Sequence, residues 1–224
     1  MNQFIDAWQF VFKNWKYFLV LALPLIAIES TVGYLLIPLG DMTQPEDFIE
    51  FLESNSLVIG LVSITGIVLQ MAFIGGLYLS YMAIDSNKEI NPINALQSGL
   101  AKFFPLFGTF IIVTIVSAFG YLLLILPGIY LTARLALFPF YIMLEDQKIF
   151  QSISSSWENT DEHGSKLFVF TLVFVALTLI VALILSSTIP QGFIQTSMLA
   201  LSEYILVLPL GYIYFTLYKS LEVN

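Results

Sequence analysis

Cysteine is absent from this 224-residue chain, and histidine occurs once, at His163. The first absence excludes disulfides, thiolate metal sites and cysteine nucleophiles. The second excludes a multi-histidine metal centre. Charge is scarce as well: 11% of residues are charged, against about 25% in an ordinary soluble domain. Eight Lys and Arg stand against sixteen acids, a net charge of −8, which excludes nucleic acid as a partner because that needs clustered basic residues. No Walker loop, G-x-S-x-G, H-E-x-x-H or dinucleotide fingerprint occurs. No catalytic residue, metal or cofactor is therefore expected, and an enzyme, even a membrane-embedded lipid enzyme, is disfavoured.

What is abundant is apolar. Hydrophobic residues make up 58% of the chain, too many for a soluble domain to cover. A spanning helix needs about 20 apolar residues, and six segments qualify: 17–38, 57–84, 104–126, 129–144, 167–189 and 197–218. The expected fold is a single all-α membrane domain over 1–224, with the lipid bilayer as its surroundings. The lead MNQFIDAWQFVFKNWK is long and amphipathic, unlike a signal peptide, so the first apolar run reads as a retained span. Residues 103–144 carry one charge, Arg134, and run about twice the length of one span. Pro127-Gly128 near the middle predicts a sharp bend there, making the run a helical hairpin.

Six spans with both ends inside put Lys13, Lys16, Lys88, Lys102, Lys148, Lys166 and Lys219 on the cytoplasmic side. The external connections, 39–56, the bend and 190–196, hold no Lys or Arg, and the first carries Asp41, Glu46, Asp47, Glu50 and Glu53. PEDFIEFLE within it reads as a short amphipathic surface helix rather than a calcium loop. Three cytoplasmic segments, 4–18, 92–107 and 149–168, mix apolar and polar residues before running into odd-numbered spans. The first two share I-[DN]-A-[WL]-Q at Ile5 and Ile93. They predict interfacial elbow helices and a threefold repeat of elbow plus hairpin.

From Pro127-Gly128-Ile129 onward, LPGIYLTARLALFPFYIMLED is followed by IFQSISSSWENT. Arg134, Pro139, Glu145-Asp146 and Ser156-Trp157-Glu158 mark this stretch. It resembles the YciC-like bacterial inner-membrane proteins, and also the membrane domain attached to some glycerophosphodiester phosphodiesterases. The resemblance covers the whole chain loosely and about 45 residues well. It implies a helical protein of the bacterial cytoplasmic (inner) membrane with little characterised chemistry. The soluble catalytic barrel of the phosphodiesterases is missing here. Asp161-Glu162-His163 replaces a more basic stretch, which argues against headgroup binding by that loop.

Charges within spans are the functional clue, since each costs a few kcal/mol or more unless partnered. They are Glu29, Arg134 and Glu203. Counted from the external ends, Arg134, Glu203 and Glu29 lie roughly 9, 9 and 14 Å deep. The expectation is a cluster in the outer half of the membrane, serving either as a site for an ion, proton or headgroup or as a structural ion pair. Pro24, Pro105, Pro139 and Pro209 lie in or beside spans, where a freed carbonyl can form a transporter site or simply kink a helix. Gly76-x-x-x-Ser80 suits close packing, internal or with a second copy. Gln70 lies near mid-membrane and is expected to bond a neighbouring helix. Asp161, Glu162, His163 and Ser165 crowd one polar loop without the rigid framework a catalytic triad needs. Two readings remain open: an accessory protein acting with lipids or a partner membrane protein, or a small transporter or channel using Glu29, Arg134 and Glu203.

Overall fold

The computed structural model describes residues 2–222. The chain is an all-α membrane protein, and among the described residues six helical segments are long and apolar enough to cross a bilayer. Among the described residues there are ten α-helices: α1 (Asn2–Lys13), α2 (Trp15–Leu35), α3 (Pro45–Asp85), α4 (Pro92–Ala101), α5 (Phe103–Leu123), α6 (Ile125–Leu135), α7 (Phe138–Leu144), α8 (Ile149–Asn159), α9 (Gly164–Thr188) and α10 (Phe193–Glu222). The short helices α1, α4 and α8 each precede a span, and each packs on the last helix of another hairpin: α1 on α10, α4 on α3, and α8 on α7.

The shared motif of the first two elbows explains part of this. Its alanines, Ala7 and Ala95, are both buried, while Ile5 and Ile93 stay exposed. A small residue at that position lets the elbow lie against a span. At α4 the approach is closest. A Cβ on Gly76 would meet Ala95 backbone at 2.9 Å, and one on Gly75 would overlap Gly99. The small residues of α3 therefore pack internally, and Ser80 accepts or donates a 2.7 Å hydrogen bond with Tyr17. In α8 the buried small residues are Ser152 and Ser156. The helices leading into α4 and α8 also end alike: Asn87 and Asp146, two residues past α3 and α7, adopt left-handed φ of 53° and 58°, a common helix stop for Asn and Asp.

Aromatic rings from α3, α7 and α10 meet at the centre. Phe140 stacks on Tyr218 at 4.9 Å and tilts against Tyr78 at 4.1 Å. Tyr81 donates to Leu208 O at 2.6 Å. Beyond them, Tyr218 donates to Glu145, Lys219 pairs with Asp85, and Lys102 pairs with Asp146. These ties bring the ends of α3, α4, α7 and α10 together at one end of the bundle.

Three expectations change. The hairpin bend is not at Pro127-Gly128: the chain turns at Leu124, which is extended, and Pro127-Gly128 sits in the first turn of α6. Proline is tolerated there because a first-turn N–H has no helical acceptor. Gly128 serves packing instead, since a Cβ on facing Gly120 would lie 2.8 Å from its Cα. The fourth span accordingly runs over Ile125–Leu144, and it breaks between α6 and α7 just before Pro139. PEDFIEFLE is not a separate surface helix; it forms the first turns of α3. At 41 residues, α3 is about 60 Å long, roughly twice the hydrocarbon thickness.

Candidate functional site

The three intramembrane charges do not form one cluster. Arg134 lies in the last turn of α6, 2% exposed, and is held by the α8–α9 junction. Its Nε donates to Thr160 Oγ1 at 2.9 Å, Nη1 to the Tyr130 hydroxyl at 2.9 Å, and Nη2 to Trp157 O at 2.5 Å. Nη2 also lies 3.0 Å from the exposed carboxylate of Asp161. The guanidinium sits 4.2 Å from the Trp157 ring centroid, a cation–π geometry. Trp157 O is among the last carbonyls of α8, which lack helical partners and favour a cation.

The reason Arg134 turns here rather than to the glutamates lies in the helix break. Helix α8 folds back along α7, with Asn159 donating to the Tyr141 hydroxyl at 2.8 Å. This brings Ser156 and Thr160 against the break. Ser156 Oγ donates to Arg134 O at 2.9 Å and accepts from Leu137 N at 3.2 Å, and Thr160 Oγ1 lies 3.0 Å from Arg134 O. Backbone freed inside a membrane protein must be satisfied internally, and these two hydroxyls do that. At the break before Pro139 the freed Arg134 carbonyl and Leu137 N–H are thus met by side chains of α8 and its C-terminal end. Gly164, at the start of α9, leaves room for the arginine: a Cβ there would come 2.8 Å from Arg134 Cδ. Arg134, Pro139, Ser156 and Trp157, all within the stretch that carries the family resemblance, belong to this one junction.

Glu29 and Glu203 do come together. They line a cleft of about 480 Å³ between α2, α3 and α10, with Ser63, Gln70 and Thr196 among its polar groups. The Tyr204 hydroxyl donates to Glu29 Oε1 at 2.5 Å. Thr196 Oγ1 donates to Ser30 O at 3.1 Å, tying α10 to α2 beside the cleft. Gly33 lets the helices approach, since a Cβ there would already touch Thr196 Cγ2 at 3.2 Å. Leu25, Ile28, Val32, Ile67 and Leu199 supply the apolar walls. The arrangement is a mostly apolar slot with two acids and several neutral hydrogen-bonding groups. Gln70, expected to bond a neighbouring helix, lines this slot. No group of three or more His, Cys, Asp or Glu close enough to hold a metal occurs among the described residues.

The sequence does not single out Tyr204 or Thr160, and it marks Ser156 only through the Ser156-Trp157-Glu158 resemblance. Tyr204 follows Glu203 directly, and adjacent residues on a helix point about 100° apart, so nothing in the pattern reveals that Glu29 meets the tyrosine. Ser156 and Thr160, four apart on one helix face, were a readable signal of a polar stripe.

Set beside known proteins, the chain is similar to a UPF0259 membrane protein of Photorhabdus laumondii, at 29% identity over 85 residues. The matched region is 38% of this chain and 33% of that relative, so the likeness spans about a third of the relative's length. No family model matches the chain. No solved structure matches it. With the six apolar helices, the likeness supports a multi-pass membrane protein akin to an uncharacterised bacterial membrane family.

Proposed function

We propose that this chain is a non-enzymatic accessory protein of the bacterial inner membrane, which holds a cationic or hydrogen-bond-donating group in the cleft between α2, α3 and α10. The observation that carries the reading is that Glu29 and Glu203 share this cleft while Arg134 is committed to Trp157, Thr160 and Asp161. An acid in a spanning segment costs several kcal/mol unless partnered. Tyr204 partners Glu29 in part; a bound cationic group supplies the rest. The amine of a phospholipid headgroup, or a basic or amide side chain on a partner's spanning helix, has the required chemistry. The YciC-like resemblance fits an accessory role, and both chain ends on the cytoplasmic side follow from the lysine distribution.

Mass spectrometry of the gently extracted complex tests this. A lipid or protein of defined mass, retained by wild type and lost in Glu29→Gln/Glu203→Gln, supports the reading. Wild type carrying only bulk lipid overturns it. The polar lining of Ser63, Gln70 and Thr196 also suits a small transporter with the same cleft as its site, now without Arg134. Flux in proteoliposomes that vanishes in the double glutamine variant would select that reading.

A further inference from the structure

The α2–α10 pair carries a second concavity, made with the first elbow. An apolar groove of about 480 Å³ runs between Trp8, Phe12 and Trp15 on the elbow side and Leu19, Leu201 and Ile205 on the spans. Its aromatic wall is already in place: Trp8 stacks on Phe12 at 5.5 Å and on Phe174 at 6.3 Å. Phe12 and Trp15 remain 60% and 52% exposed.

Two lysines stand beside this groove. Lys13 ends α1, directly after Phe12. Lys16 follows Trp15, and its Nζ lies 5.9 Å from the Trp15 ring centroid. Lys102 and Lys219 at the same end of the bundle are neutralised by Asp146 and Asp85. Lys13 and Lys16 form no ion pair among the described residues. Lys88, Lys148 and Lys166 share that state among the described residues, but Lys13 and Lys16 are the two that each directly follow an aromatic residue of the groove wall, Phe12 and Trp15, where an external anion would complement them. Asp6, the acid of α1, is set toward the Tyr212 end of α10: Phe10, on its side of the helix, stacks on Tyr212 at 3.8 Å.

We propose that this is a binding site for an anionic glycerophospholipid, with the phosphate between Lys13 and Lys16 and one acyl chain along the groove. Charge complementarity selects the anionic class. A zwitterionic headgroup brings its own cation to two lysines, whereas an anionic one does not. The aromatic wall suits the glycerol and upper chain, where amphipathic rings sit in bilayers. This site shares no lining residue with the acidic cleft, and either can fail without the other.

Tryptophan fluorescence tests it, because Trp8 and Trp15 line the groove. The full chain is placed in phosphatidylcholine vesicles containing a small fixed fraction of chain-brominated phosphatidylglycerol, or the same fraction of chain-brominated phosphatidylcholine. The expected result is at least about threefold more quenching by the anionic lipid, consistent with two lysines at a membrane surface. The excess should fall mostly away in Trp15→Phe and vanish in Lys13→Gln/Lys16→Gln, while Lys13→Arg/Lys16→Arg keeps it. Equal quenching by both lipids in wild type overturns the site. An excess that survives in the glutamine variant overturns its assignment to these lysines.

Discussion

Arg134 Nη2 donates to Trp157 O at 2.5 Å while its guanidinium lies 4.2 Å from the ring of the same tryptophan. One residue thus supplies both a terminal carbonyl and a π face to one cation, which fastens α8 to the broken fourth span. Arg134→Ala strips donors from Trp157 O, Thr160 and Tyr130 at once. Leaving a buried polar group without its partner costs about 1–3 kcal/mol, so the variant should unfold in detergent well below wild type. Arg134→Lys should recover only part of that, lacking the planar fork. Asp161→Asn should lie within about 1 kcal/mol of wild type, because its carboxylate is exposed. Thermal denaturation followed by circular dichroism checks all three.

Gly99 and Gly60 should respond oppositely to alanine. A Cβ on Gly99 would clash with Ala72 backbone, whereas one on Gly60 meets nothing within 4 Å. Gly99→Ala should destabilise by about 1–3 kcal/mol, as overpacking does. Gly60→Ala, in an exposed stretch of α3, should be neutral or stabilising by up to about 1 kcal/mol. The same melts distinguish them.

Tyr204→Phe removes the donor to Glu29 without changing the packing of the ring against Phe73 at 5.2 Å. A hydrogen bond to a charged group contributes about 1.5–3 kcal/mol. The variant should lose stability in that range, and Glu29→Gln/Tyr204→Phe should cost less than the sum of its singles. A double-mutant cycle reads the coupling.

The natural absence of cysteine allows a direct topology test. Single cysteines at Ser86 and Ser155 should react with a membrane-impermeant thiol reagent only after the cells are opened. Those at Ser54 and Ser187 should react in intact cells. Labelling of Ser86 from outside would contradict the lysine-based orientation.

Much of the architecture was legible because its signals are one-dimensional. The length of each apolar run marks the spans, and the repeated I-[DN]-A-[WL]-Q marks the first two elbows, which the structure shows as α1 and α4. The bend was misplaced because Pro127 reads as a turn residue but is equally at home in a first helical turn. The site was half legible. Glu29 and Glu203 stand out as acids in apolar surroundings, and both line the cleft between α2, α3 and α10. Arg134 passes the same test and belongs elsewhere. Depth along a helix says nothing of rotation about it, and the residues that hold Arg134 sit in a segment that reads as surface. Only the folding back of α8 brings Thr160 and Trp157 to it.

A specific occupant of the cleft between α2, α3 and α10 can be caught where it sits. Ile67 lines it, and Leu183 of α9 is a lipid-facing control at 69% exposure. A photo-crosslinking amino acid placed at each position in living cells reads the difference. A discrete adduct is expected at Ile67, absent at Leu183 and lost at Ile67 when Glu29→Gln/Glu203→Gln is added. The same diffuse lipid labelling at both positions, unchanged by the glutamines, would contradict it.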